Sequence, residues 1–423
     1  MTVEFQIDGV GVSDLAAEFG TPLYVYDGEA LRRQITGLLE LLHPRLEVFY
    51  SLKANPNVSV CALLHAHGAR AEVSSMAELL TARRAGVDPS DIIFLGPGKS
   101  RAELVECLNQ GIYSIICESL PELELIDGIA GELGLVAPVA LRVNPSFAVK
   151  GSGLTMGGKP RQFGIDEAQL LAGGPLGKEF AGVRLMGVQV YMGTRILSED
   201  AVVQNTERIL ELAQRIAEHH QFELEMVDVG GGLGVAYFEG EEDLELPLLA
   251  AGLNPVLNRF AETHPQTRLI MELGRYLVAQ SGTYVTRVRY TKTSLGENFA
   301  VADGGTNHHM AAVGIGSFVK RNFPIRLLNR YDEAATESWN ITGPLCTPND
   351  TLGKKVALPP LRAGDLLGVL RSGAYGPTAS PVLFLSHGYP AEVLVHNGQA
   401  HLVREADDPS DLLRKQHLLP LSR

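Results

Sequence analysis

Residues 46–56 read Leu-Glu-Val-Phe-Tyr-Ser-Leu-Lys-Ala-Asn-Pro, and residues 71–78 read Ala-Glu-Val-Ser-Ser-Met-Ala-Glu. In each, a short apolar, strand-like run gives way to polar residues. In the second, Ser75 and Glu78 then stand at the Ser-x-x-Glu spacing of a helix N-terminus, where hydroxyl and carboxylate satisfy orphan backbone N–H groups reciprocally. A strand that feeds a helix this directly is half of a parallel βαβ unit. The unit recurs: strand-like runs fall at 46–50, 71–73, 92–95, 114–117, 139–143, 186–190, 226–229 and 269–271. Capping boxes at Ser100/Glu103 and Ser119/Glu122 open two more helices, and Gly86, Gly111 and Gly134 stand where left-handed C′ residues would close them. Eight strands in about 225 residues predict an α/β fold, a (β/α)8 barrel of TIM type, with an open doubly wound sheet as the competing arrangement.

Beyond about residue 280 the helical pattern fades. Runs at 283–290, 299–302, 339–342, 366–370 and 392–396, separated by Gly, Pro and Asn, predict a mostly β domain. The strand-like residues 21–26 precede the barrel and are expected to pair with the β domain. The expected division is a 1–27 N-terminal segment pairing with the β domain, a 28–277 barrel and a 278–423 C-terminal β domain. A chain of 423 residues with 45% apolar content has ample core for two domains. Its 36 Lys and Arg against 49 Asp and Glu leave a net charge of −13, which repels nucleic-acid phosphates and anionic lipid. Cys61, Cys107, Cys117 and Cys346 are too irregularly spaced for a disulfide framework or a CxxC metal site. No basic-then-apolar leader opens the chain and no stretch reaches about 18 apolar residues, so a soluble cytoplasmic protein is expected, with no membrane and no metal.

Barrel enzymes place their chemistry at the C-terminal ends of the strands, so the residues after each run carry the functional information. After the first run comes Lys53, flanked by apolar and small residues, an amine that partial desolvation would suit to Schiff-base formation; a surface lysine closing a strand is the plainer alternative. After the seventh come Gly230, Gly231 and Gly232, then Leu233 and Gly234, where missing side chains would let backbone N–H groups approach an anion at a helix N-terminus. A dinucleotide fingerprint would need glycine at 235, which is Val235. After the eighth come Glu272, Gly274 and Arg275. Lysine, phosphate loop and acid together supply what pyridoxal phosphate requires: an amine for its aldehyde, donors for its phosphate and a partner for its pyridine nitrogen.

The motifs Tyr-Ser-Leu-Lys53-Ala-Asn, Gly-Gly-Gly-Leu-Gly, Glu272-Leu-Gly-Arg275, Gly343-Pro-Leu-Cys346 and Gly373-Ala-Tyr375-Gly resemble, in family order, the fold-type III pyridoxal-phosphate decarboxylases of diaminopimelate, ornithine and arginine. The resemblance spans nearly the whole chain. It implies an alanine-racemase-like barrel plus β domain, pyridoxal 5′-phosphate as cofactor, and a homodimer whose active sites are shared. Residue by residue, it makes Lys53 the cofactor-bearing lysine, Gly230, Gly231, Gly232, Gly274 and Arg275 the phosphate surroundings, Glu272 the partner of the pyridine nitrogen, and Cys346 the proton donor from the partner subunit. Glu72, Tyr375 and Thr194 are further cofactor contacts, Thr194 at the place of a phosphate-contacting serine. Tyr191 stands where the family stacks a histidine; it can stack but cannot carry positive charge. An arginine in place of Glu272 would point to a racemase, and single-barrel pyridoxal-phosphate-binding proteins lack the β domain, so both are lesser readings.

The substrate-side residues depart from the diaminopimelate pattern. Thr347 and Pro348 follow Cys346 where that pattern has Glu-Ser, and Ala311 stands where it has an arginine. The combination resembles instead the subgroup that decarboxylates glutamate tethered through its side chain to an acyl carrier protein, as in butirosin biosynthesis; free diaminopimelate, ornithine or arginine is the alternative. Asp303, His308, His309, Thr347 and Asp350 are the expected substrate-side residues. His308 and His309, read as neighbours on a strand, would face opposite ways and make poor joint metal ligands. Lys150, Lys159, Arg161, Lys320 and Arg321 are the expected basic patch for an acidic carrier.

Overall fold

The computed structural model describes residues 3–147, 154–155, 157–313 and 321–420. The chain divides into two compact units, Leu31–Ala236 with Gly240–Leu277, and Met1–Ala30 with Tyr237–Glu239 and Val278–Arg423. Among the described residues no helix is long and apolar enough to cross a membrane.

The first unit is built on eight strands: β1 (Leu46–Ser51), β2 (Arg70–Val73), β3 (Ile92–Phe94), β4 (Ser114–Cys117), β5 (Ala137–Asn144), β6 (Val183–Gln189), β7 (Met226–Gly231) and β8 (Arg268–Leu273). Each pairs in parallel with the next. β8 then pairs with β1, Leu269 opposite Leu46 and Leu273 opposite Tyr50, so the ring closes and the structure is a TIM-like barrel rather than an open sheet. Of the three expected capping boxes only Ser100/Glu103 is reciprocal. Ser75 and Ser119 do accept the backbone N–H of Glu78 and Glu122, but those carboxylates take the N–H one residue earlier, of Ser74 and Glu118, at 2.7 Å. The cause is local: Ser75 and Ser119 are extended at φ −158°, unlike Ser100 at −76°.

Inside the barrel the two-residue period of the strands stacks three layers. Phe49, Ile93, Leu95, Ile116, Ala140, Met186, Met226 and Ile270 form the apolar middle. Two residues earlier on β1 and β8, Glu47 and Arg268 belong to an ion network with Arg70 and Asp91. Two residues later on β1, β5, β7 and β8 stand Ser51, Arg142, Asp228 and Glu272, with Glu118 just past β4 and Gln189 at the end of β6, all buried. Gathering buried charge at the C-terminal end of a barrel is expensive unless it is paired or used, and that end is where barrel sites are built.

The second unit is a sheet in the order Thr351–Leu358, Glu337–Thr342, Glu297–Ala302, Gly282–Ser294, Leu23–Asp27, Ala391–His396, Gln399–Arg404. The N-terminal strand Leu23–Asp27 lies antiparallel to Gly282–Ser294 and parallel to Ala391–His396. Leu23, Val25, Val285, Leu366, Val393 and Val395 share one buried cluster with Val12 and Leu15 of the first helix, Val12–Glu18.

Candidate active site

β1 ends at Ser51 and the chain turns through Leu52–Ala54. The Tyr50 hydroxyl donates to the Asn55 carbonyl at 2.6 Å and the Asn55 N–H donates to Leu52 at 2.9 Å, which fixes the turn. Lys53 Nζ donates to Glu72 Oε2 at 2.9 Å, and the Ser74 hydroxyl donates to Oε1 at 2.9 Å. Glu72 is fully buried whereas the Lys53 side chain is 40% exposed, so the amine is anchored yet reachable. Burial, the strongest influence on Glu72, pushes its carboxyl up; the Lys53 charge and hydrogen bonds from Ser51, Lys53 and Ser74 outweigh it and hold the group below the usual carboxylate range. The Tyr191 ring centroid lies 5.9 Å from Lys53 Nζ.

Across the polar layer, Gln189 Nε2 donates to Glu272 Oε1 at 2.9 Å. Asp228 Oδ1 accepts the Gly230 N–H at 2.8 Å, and Asp228, paired in register with Gln189, lies on the strand between Gln189 and Glu272. Asp228 Oδ2 and Glu272 Oε2 receive no further donor among the described residues. Burial first, then Glu272, pushes Asp228 well above the usual carboxylate range. Burial first, then Glu72, raises Glu272, with Lys53, Asp228 and Arg142 pulling the other way. Arg142 is itself paired with Glu118 at 2.9 Å.

Gly230 and Gly232 lie at φ +67° and +90°, and a Cβ on Gly232 would fall 2.1 Å from the Gly193 carbonyl, so the loops after β6 and β7 touch backbone to backbone. Thr194 is on the β6-side loop, in the two-residue strand Gly193–Thr194. The expectation of a helix N-terminus here is corrected: Ile196 bridges to Leu233, and the next helix, Leu246–Thr263, begins well beyond the loop. Gly274 follows β8 and Arg275 opens the four-residue helix Arg275–Val278. Pyridoxal phosphate fits this layer. A reachable amine rests on a buried carboxylate, and Glu272 retains accepting capacity that a protonated pyridine nitrogen would use.

The remaining positions lie in the sheet unit. Cys346 is an exposed free thiol on the loop between Glu337–Thr342 and Thr351–Leu358, with half-buried Thr347 beside it. Tyr375 is half-buried at φ +55°. Four of the expected substrate-side residues are buried in the interior of this unit. Asp350 Oδ1 accepts the Thr306 N–H and hydroxyl at 2.8 and 3.0 Å and Oδ2 accepts the Leu345 N–H at 2.8 Å, so Asp350 braces the Cys346 loop. Asp303 accepts from the Thr286 hydroxyl, the Arg287 N–H and the Thr21 hydroxyl. His308 and His309 are buried in a turn rather than on a strand, both N–H groups reaching the Gly305 carbonyl. The turn forms because Gly305 packs against Asp350, whose Oδ1 would lie 2.2 Å from an added Cβ. Burial pushes His308 down to about 4 and His309 down to about 3, so both are neutral near pH 7. Of the basic residues, Lys159 and Arg161 are exposed in the barrel unit and Arg321 is exposed in the sheet unit, over the Phe238 ring at 5.4 Å; Lys150 and Lys320 lie outside the described residues.

Gln189, Asp228, Arg142 and Glu118 went unassigned in the sequence reading. Their signal is one polar residue in or just beyond an apolar run, Arg142 within Ala-Leu-Arg-Val and Asp228 within Met-Val-Asp-Val, where a buried strand gives no solvent-facing excuse for it.

Residues 29–279 match the pyridoxal-binding domain of the pyridoxal-dependent decarboxylases. The chain is 38% identical to the L-glutamyl-(BtrI acyl-carrier protein) decarboxylase of Niallia circulans, over 97% of each chain. It is 33% identical to the diaminopimelate decarboxylase of Vibrio cholerae, over 97% of this chain and 96% of that one. The solved diaminopimelate decarboxylase of M. jannaschii, in co-complex with L-lysine, superposes with a TM-score of 0.89 at 28% identity, covering 99% of this chain and 96% of that one. The chain belongs to the family of pyridoxal-phosphate-dependent amino-acid decarboxylases.

Proposed function

We propose that this decarboxylase acts on glutamate, or a closely related amino acid, whose side-chain carboxyl is tethered to an acyl carrier protein. The observation that carries the reading is the Cys346 loop. Across residues 343–350 the sole charged side chain is Asp350, and it is buried and engaged with Thr306 and Leu345. A free distal ammonium-carboxylate group entering a site without partners loses several kcal/mol, roughly the desolvation of an unpaired charge. A thioester-linked distal carboxyl is neutral and escapes that loss. The similarity to the Niallia circulans enzyme supports the same reading.

When bound, pyridoxal phosphate supplies the electron sink for loss of the α-carboxylate. Lys53 would hold it through its amine, and Glu72 keeps that amine in place at 2.9 Å. Glu272 would face the pyridine nitrogen and keep a proton there, which a racemase-like arginine would not. Gly230, Gly231, Gly232, Thr194, Gly274 and Arg275 would hold the phosphate, and Tyr191 would lie along the ring. The partner subunit's Cys346 donates a proton from Sγ to the carbon that has lost CO₂, in a homodimer with shared sites. Turnover of glutamyl-loaded carrier protein, free glutamate, diaminopimelate, ornithine and arginine, followed by product mass, tests the substrate. A kcat/KM for diaminopimelate about tenfold or more above that for the loaded carrier, roughly 1.4 kcal/mol, would sink the tethered reading and leave the decarboxylase standing.

A further inference from the structure

The polar layer of the barrel gathers Lys53, Glu72, Glu118, Arg142, Gln189, Asp228 and Glu272. Of the acids among them, Asp228 is used by neither the cofactor nor the substrate reading. It is fully buried on β7, and one of its oxygens is taken by the Gly230 N–H at 2.8 Å. Its other oxygen and Glu272 Oε2 are both buried with no donor among the described residues, and Asp228, in register with Gln189, lies on the strand that the Gln189 amide crosses to reach Glu272. Two ionised carboxylates have only acceptors to offer each other. The donor that remains for these two oxygens is a proton carried by one of them, as between two acids that share a site.

We propose that Asp228 is a positioning residue that stays protonated and donates its proton to Glu272, leaving Glu272 as the anion presented to the pyridine nitrogen. The local charges agree. Glu72 and Glu118 already match Lys53 and Arg142 as ion pairs at 2.9 Å each, so among the described residues these two cations are already taken when a second anion is placed beside Glu272. Glu272 also takes the Gln189 amide at 2.9 Å, so neutral donors on both sides fix its plane while adding no charge. A carboxylate oxygen accepts more than one hydrogen bond, so the proton from Asp228 leaves room for a ring N–H. The inference rests on Glu272 facing the pyridine nitrogen, but the protonation of Asp228 is measurable without cofactor.

The test is infrared spectroscopy of the cofactor-free protein at neutral pH, with aspartate carboxyls labelled with carbon-13. The proposal expects the carbonyl stretch of a protonated acid that shifts with the aspartate label and disappears in Asp228→Asn. An acid band insensitive to aspartate labelling, or no acid band in the wild type, overturns it without recourse to any variant. In the holoenzyme, Asp228→Ala should move the pH midpoint of the cofactor absorption by about one unit, tenfold in proton affinity, and lower kcat by about tenfold. Asp228→Asn, neutral and still a donor, should restore the midpoint to within about 0.3 unit. Equal displacement by Asn and Ala would overturn the proposal, because it would mean that the negative charge of Asp228, not its donor, is what the site uses. Failure of Glu272 to face the pyridine nitrogen would show separately, as a cofactor absorption unchanged by Glu272→Gln.

Discussion

Asp350→Ala removes the brace of the Cys346 loop, and its effect follows from counting hydrogen bonds. The buried carboxylate accepts three, from the Thr306 N–H, the Thr306 hydroxyl and the Leu345 N–H. Hydrogen bonds to a charged group contribute about 1.5–3 kcal/mol each, and water entering the space left by the side chain recovers part of that, so a net loss of about 4 kcal/mol is expected. For a domain of about 150–250 residues each kcal/mol moves the melting temperature by about 2–4 °C, which places the variant about 8–16 °C below wild type. Asp350→Asn should fall between the two. Its volume and one acceptor remain, but an amide turned toward the Leu345 N–H sets donor against donor, for a loss of about 2 kcal/mol. The assay is built into the chain. The single tryptophan, Trp339, is buried on Glu337–Thr342, the strand that leads into the loop, so its fluorescence reports melting of the sheet unit. Melting of Asp350→Ala within about 2 °C of wild type would refute the brace, since the lost bonds would then be worth under about 1 kcal/mol.

The other expectations follow from the same geometry. Glu272→Gln should retain pyridoxal phosphate but slow CO₂ release by about 10²–10³-fold, the range for removing one preorganised electrostatic contact, and an unchanged kcat would remove Glu272 from its role. Mixing inactive Lys53→Ala and Cys346→Ala proteins should restore part of the activity through hybrid dimers with one intact site; no recovery under verified subunit exchange would count against shared sites. The buried histidines make the sheet unit acid-sensitive. Both bind protons less readily folded than unfolded, so stability falls as pH drops from about 6.5, the unfolded value, toward about 4 for His308 and about 3 for His309. Each contributes a slope of about 1.4 kcal/mol per pH unit, and His309→Gln should remove about half of the combined slope in urea titrations followed by Trp339.

The barrel was readable because its strands are short apolar runs bounded by turn residues, and a run such as Ile92–Phe94 survives as a strand in a wide range of contexts. Closure was not readable from periodicity, since a closed ring and an open sheet share the same period; it rests on β8 meeting β1 across more than two hundred residues of sequence. Lys53 and Glu272 stood out as charges at strand ends. Asp228 and Gln189 did not, because each lies inside a run otherwise read as core, and their meaning appears only where neighbouring strands place them beside Glu272. Asp350 and His308 stood out through the motifs that they sit in, and their burial was not legible there. Polar residues near a reactive cysteine suggest substrate contacts, while a buried loop also needs polar groups to satisfy its own backbone, and that is how Asp350 is used.

The most direct test of the account is to trap the cofactor on the protein. Borohydride reduction of the holoenzyme, followed by digestion and mass mapping, should place the reduced pyridoxal phosphate on the peptide that carries Lys53, and Lys53→Ala should lose both the adduct and CO₂ release. An adduct on a different lysine, or full turnover by Lys53→Ala, would contradict the assignment of the barrel's polar layer as the active site.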